Sequence, residues 1–168
     1  MQILIFIVIL VVLASAAYGC ISSAPWVPTK GKDVERMIGL AEIKSEDIVY
    51  DLGCGDGRLV FASARRGAKS IGFEIFIIPY LVAKIRSWFN KNSKIYFTDF
   101  FRRNISDANV VFIFLTYKPY KRLIEKLDKE LKSGAKIVVY CFEIKEWQDR
   151  LIKVSKTEKD LPVYVYVV

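Results

Sequence analysis

The stretch Val49 to Arg58, VYDLGCGDGR, decides how the rest of the chain is read. An apolar run of β type ends at Leu52, three alternating glycines follow at Gly53, Gly55 and Gly57, and a helix-compatible segment begins at Arg58. Glycine reaches positive φ at little steric cost and, lacking a Cβ, lets the backbone approach a bound molecule closely. A helix opening after such a turn presents free N–H groups to an anion such as a carboxylate. Strand, glycine turn and helix together predict a ligand cradle at the carboxyl end of a strand.

Outward from this point the chain alternates short apolar runs with amphipathic stretches, the pattern of βα units on a parallel sheet. Strands are expected at Ile48 to Leu52, Ser70 to Glu74, Lys94 to Thr98, Val110 to Leu115 and Ala135 to Phe142, all rich in Val, Ile, Tyr and Phe. Helices are expected at Arg58 to Arg66, Pro79 to Asn90 and Pro119 to Leu131, the last closed by Ser133-Gly134. Upstream, Thr29 is a candidate N-cap for a helix to about Ala41 with Val34, Met37, Ile38 and Ala41 on one face. Two more strands, Leu151 to Lys156 and Val163 to Val168, complete a fold expected to be α/β and Rossmann-like. Its sheet is mostly parallel, with seven strands and an antiparallel one at the C-terminal end.

The spacing GxGxG departs from the GxGxxG of dinucleotide binding. Asp51 also stands just before the loop, where it would face a dinucleotide's negative pyrophosphate. S-adenosylmethionine (SAM) instead brings ammonium and sulfonium cations, so the charge favours SAM. Glu74 ends the second strand, where a carboxylate accepts both ribose hydroxyls, and Asp99 ends the third, within reach of an adenine amine. The expected cofactor residues are Asp51, Leu52, Gly53, Gly55, Gly57, Glu74 and Asp99. Thr116 and Tyr117, at the end of the fourth strand, are the candidates for positioning the acceptor.

The 168 residues contain no histidine, which excludes a Ser-His-Asp or Cys-His hydrolase and any zinc site with a histidine ligand. Three widely spaced cysteines, Cys20, Cys54 and Cys141, indicate neither a disulfide framework nor a CxxC metal site, so no metal is expected. The net charge of +8 is spread among interspersed acids. Solvated helix faces account for it, or a basic domain beside an anionic leaflet. No RNP-type or helix-turn-helix motif accompanies it, and no nucleic-acid partner is expected.

Ile3 to Ala17 is apolar except for Ser15. A helix over this region would be roughly 27 Å long, close to a bilayer's hydrocarbon thickness. A cleaved signal peptide is the alternative, with small residues at Ala14 to Ala17, but no Lys or Arg precedes the run. A lipoprotein site at Cys20 meets the bulky Tyr18. The expectation is therefore a single-pass transmembrane anchor over residues 1–20, a linker over 21–32, and a domain over 33–168. Lys30, Lys32 and Arg36 place that domain on the cytoplasmic side by the positive-inside rule.

The glycine loop and its surroundings resemble the class I SAM-dependent methyltransferases. More narrowly, the chain resembles the small membrane-anchored protein-lysine methyltransferases of the ATP synthase c-subunit and adenine nucleotide translocase, with their prokaryotic relatives. The resemblance rests on APWVPT at Ala24 to Thr29, VYDLGCGDGRLVFASA at Val49 to Ala64, GFE at Gly72 to Glu74 and PYLV at Pro79 to Val82. TDFF at Thr98 to Phe101, NVVFIFL at Asn109 to Leu115, LIEKLDKELKSGAKIV at Leu123 to Val138 and CFEIKEW at Cys141 to Trp147 extend it. Two departures stand out: IFII between Glu74 and Pro79, and Glu143 and Lys145 where eukaryotic relatives are richer in proline. The resemblance implies SAM contacts from Asp51, Gly53, Gly55, Glu74 and Asp99, and transfer of a methyl group to a lysine of a protein substrate at the membrane. Methylation of a small molecule or lipid, and SAM binding without catalysis, are the alternatives.

Overall fold

The structure is a computed structural model that describes residues 1–7, 9, 10, 13, 14, 27–115 and 119–168. Seven strands form one sheet: β1 (Ile48–Leu52), β2 (Lys69–Glu74), β3 (Ser93–Phe97), β4 (Val110–Ile113), β5 (Lys136–Tyr140), β6 (Leu151–Ser155) and β7 (Val163–Val167). Their order is β3-β2-β1-β4-β5-β7-β6, with β7 antiparallel to both neighbours. From β1 the chain winds outward to β2 and β3, then returns to place β4 on the other flank of β1. This reversal opens a crevice beyond the carboxyl ends of β1 and β4, where open α/β sheets bind ligands.

Side-chain alternation along the strands decides which layer each residue joins. Val49, Val110, Phe112, Val138, Val163 and Val165 meet α1 (Gly31–Ala41) and α2 (Arg58–Arg65) through Val34, Met37, Ile38, Leu59 and Ala62. Tyr50, Leu52, Val111, Ile113, Ile137 and Val139 meet α4 (Tyr120–Glu130) through Tyr120, Leu123 and Leu127. With both faces covered, the central strands are mostly apolar, with Asp51 in β1 the exception. At the β2–β3 edge, α3 (Ile77–Ser87) seats Ala83 with Ile95, Val60 and Phe61.

Element types follow the sequence pattern, while boundaries move by local chemistry. The first helix begins at Gly31 with Lys30 at the cap and no side-chain bond there. Thr29 is not the cap, and its carbonyl accepts a hydrogen bond from Arg58 instead (2.8 Å). α3 starts two residues before Pro79, which therefore sits in the first turn, where a missing N–H breaks no helical bond. β5 stops at Tyr140 because Cys141 adopts a φ of 78°.

The single-pass anchor is corrected by the structure: among the described residues, no helix is long and apolar enough to cross a membrane. A span needs about 20 consecutive helical residues. The helical residues described before position 27 are 2–7, 9, 10, 13 and 14. The cytoplasmic placement of the domain rested on that anchor and goes with it. Residues 15–20, on which the cleavage and lipoprotein alternatives turned, lie outside the described residues.

Candidate active site

A cavity of about 300 Å³ lies beyond the carboxyl ends of β1, β2, β4 and β5. The glycine turn forms one wall. Gly53 and Gly55 have φ of 87° and 55°, and both line the cavity. A Cβ on Gly53 would come within 3.2 Å of the Leu115 side chain, so the turn is close-packed as well as left-handed.

Glu74 ties this turn to the end of β2. Its Oε2 accepts the Gly55 N–H at 2.7 Å, and its Oε1 accepts the N–H groups of Ile75 and Phe76, both at 2.8 Å. Burial raises the Glu74 carboxyl above its usual range, and the three donors partly offset that rise. The side chain is thus a structural clasp as well as a cavity-lining acid. Beneath it, a Cβ at Gly72 would meet Cys54 Sγ at 2.6 Å, which accounts for glycine there without any ligand.

Asp51 stands differently. It is 4% exposed and lines the cavity, yet no hydrogen bond or ion pair from a described residue reaches its carboxylate. Burial, followed by the nearby charges of Glu74 and Asp56, pushes its pKa up to about 8. A buried acid held against other acids lacks a positive partner. Asp56 has its own, from Arg58 at 3.0 Å and Arg86 at 3.4 Å, while Arg86 also donates to the Asp56 carbonyl at 2.7 Å.

Other expected residues take up different positions. Leu52 is fully buried in the core beside Phe73 and Ile113, away from the cavity lining. Gly57 also lies outside the lining. Its φ of 82° and a Cβ position 2.5 Å from the Phe61 ring explain it by packing at the start of α2. Asp99 turns its carboxylate onto the Phe101 N–H (2.9 Å), capping a 3-10 turn, while its neighbours Thr98 and Phe100 line the cavity. Thr116 and Tyr117 lie outside the described residues.

The cavity also draws on residues that the sequence pattern did not single out. Val27, Pro28 and Thr29, expected as linker, line it, held by Arg58 through the Thr29 carbonyl. Phe114, Leu115, Cys141, Phe142 and Leu161 make its apolar side. The signal available for them was position, since Phe114, Leu115, Cys141 and Phe142 follow the carboxyl ends of β4 and β5. Of the two cysteines among the described residues, neither is poised as a nucleophile: burial pushes the Cys141 thiol up, and burial with the adjacent acids pushes Cys54 well up.

A family model described as the ANTKMT methyltransferase domain matches residues 51–150. The chain is similar to a protein-lysine N-methyltransferase of Saccharolobus islandicus (strain REY15A), 39% identical over 150 residues, which cover 86% of this chain and 93% of that protein. It is also similar to the lysine N-methyltransferase of the ATP synthase c-subunit from Homo sapiens, 30% identical over 128 residues. That match covers 73% of this chain and 54% of the human protein, so the chain spans about half the length of that relative. Among solved structures it is similar to an RNA methyltransferase from Salinibacter ruber in complex with S-adenosyl-L-homocysteine. The TM-score is 0.79 at 31% identity, covering 84% of this chain and 94% of that one.

Proposed function

The chain belongs to the ANTKMT methyltransferase domain family and is a SAM-dependent methyltransferase; from that premise we propose that it methylates the side-chain amine of a lysine in a protein. The observation that carries the lysine reading is the archaeal protein-lysine methyltransferase, whose match runs through nearly all of both chains.

The donor set of the cavity fits SAM. Asp51 offers an unpartnered buried carboxylate to a cationic group, Gly53 and Gly55 admit a ligand against the backbone, and Glu74 holds that backbone in place. We propose cofactor binding by these four residues, with Asp99 standing between the lining residues Thr98 and Phe100, while Leu52 and Gly57 lie outside the lining. When bound, SAM supplies a methyl group activated on a positively charged sulfur.

The protein's own work is then to bring an amine to that group in its neutral form. Phe100, Phe114, Leu115 and Phe142 give the cavity an apolar side next to the crevice. A lysine ammonium entering such surroundings is desolvated, which lowers its pKa and frees the lone pair. Orientation within a confined space supplies much of the remaining acceleration. Thr116 and Tyr117 retain their assignment as acceptor-positioning residues by their place directly after Leu115 in the sequence.

The Salinibacter relative supports a second reading, methylation of RNA. One experiment separates the two. Purified full-length protein is incubated with SAM labelled on the methyl group, together with total protein or total RNA, and the products are hydrolysed. Label in methyllysine is the expected result. Label confined to nucleosides replaces the lysine reading with the RNA reading, and label in neither overturns both.

A further inference from the structure

The outer face of α3 takes no part in the site, yet it is strongly apolar. Ile78, Leu81, Val82 and Ile85 occupy i, i+3, i+4 and i+7 on one face of the helix, and all four are exposed. Just past the helix, Trp88 and Phe89 are 72% and 87% exposed. The residues of α3 that are fully buried are Pro79 and Ala83, and Tyr80 packs half-buried against the sheet beside Phe97, which leaves Ile78, Leu81, Val82 and Ile85 outward.

The charges that α3 and the segment after it carry are of one sign. Between Ile75 and Thr98 the chain carries Lys84, Arg86, Lys91 and Lys94, with no Asp or Glu. Arg86 is engaged by Asp56, but Lys84, Lys91 and Lys94 enter no salt bridge among the described residues. A second copy of the chain would bring like charges together across the contact. RNA would satisfy the lysines and find Trp88 and Phe89 to stack on, but it would leave the aliphatic stripe of Ile78, Leu81, Val82 and Ile85 uncovered. A helix with exposed Ile, Leu and Val, followed by exposed Trp and Phe and flanked by Lys91 and Lys94 outside any salt bridge among the described residues, matches what lies in the interface of an anionic lipid layer.

We propose that α3 and the turn that follows it form a peripheral docking surface for anionic lipid, lying in the headgroup region with no segment crossing the bilayer. The surface adjoins the site, because Ile75 and Phe76 line the cavity and α3 begins at the next residue. It does not depend on the identity of the acceptor.

The test uses the full chain with vesicles of phosphatidylcholine alone or mixed with phosphatidylglycerol, read by co-sedimentation and by tryptophan emission. Binding is expected only to the anionic vesicles, weakening with salt, with a blue shift that Trp88→Phe removes. Lys91→Ala with Lys94→Ala, both exposed, should weaken binding roughly thirtyfold, at about 1 kcal/mol per lysine. Leu81→Ser with Ile85→Ser should abolish the shift while SAM affinity and circular dichroism stay as in the parent. Equal binding to both vesicle types overturns the proposal, as does parental binding by both double variants, which would locate the affinity elsewhere on the chain. Variants that instead abolish self-association in the ultracentrifuge, or binding to polyuridylate, overturn it in favour of a second copy or a nucleic acid.

Discussion

Asp51 carries a clear chemical signature, because it is buried and has no partner among the described residues where a cation would satisfy it. In the unfolded chain its carboxyl ionises near its ordinary value of 3.8, and in the folded chain near 8. The folded state therefore binds the proton more tightly, and stability falls as pH rises through that window. Asp51→Asn should raise the melting temperature of the ligand-free protein, most at pH 9 and hardly at all at pH values below about 3.8. The same change should weaken SAM binding. In the parent at pH 7, cofactor binding should release about one proton, measurable as a buffer dependence of the calorimetric heat. A proton count of zero would mean that Asp51 does not face the cationic part of SAM.

Glu74 calls for a different expectation. With three backbone N–H groups on its oxygens, removing the side chain strands buried donors, each worth on the order of 1–3 kcal/mol. Glu74→Ala should lower the melting temperature by more than the loss of ribose contacts alone implies, because those contacts are absent without SAM. A Glu74→Ala protein as stable as the parent but weaker for SAM would restore a purely ligand-binding role.

Among the elements, the β1–α2 turn and the segment before α1 act as a pair joined by Arg58. The guanidinium spans the Asp56 carboxylate and the Thr29 carbonyl, holding Val27 to Thr29 on the cavity wall. Both ends are partly exposed, so screening keeps the bond modest. Arg58→Ala should raise the dissociation constant for SAM by roughly fivefold, about 1 kcal/mol. It should also speed proteolysis ahead of Gly31 without altering the far side of the sheet. Unchanged affinity together with unchanged proteolysis would show that the segment holds its place unaided.

Taken whole, the molecule places three acids, Asp51, Asp56 and Glu74, on the wall of the cavity proposed for the cofactor, so ligand and fold should be strongly linked. SAM at about a hundred times its dissociation constant should add roughly 2.7 kcal/mol. For a domain of this size that corresponds to a rise of roughly 5–10 °C in melting temperature, readable by scanning fluorimetry. Lys126, buried with Glu130 and the Arg103 carbonyl, shows that a buried charge elsewhere in the fold is satisfied by the protein itself. Asp51, at the cavity, has no such partner among the described residues.

Apolar periodicity and glycine punctuation are local properties, so the sequence alone marked all seven strands, β1 to β7, in chain order, and the glycine turn from Gly53 to Gly57. It also brought Asp51, Gly53, Gly55 and Glu74 to one place, since strand-end residues in a parallel sheet share an edge. Folding decided that Asp99 caps a 3-10 turn, that Leu52 is core, that Gly57 packs on Phe61 and that Glu74 is already bonded. Those outcomes turn on which way each side chain points and, for Leu52 and Glu74, on partners distant in sequence, Phe73 with Ile113 and Gly55, and strand periodicity fixes neither. The apolar run near the start shows the converse limit: composition allowed a span, but a span also requires an unbroken helix of sufficient length. No helix among the described residues meets that condition.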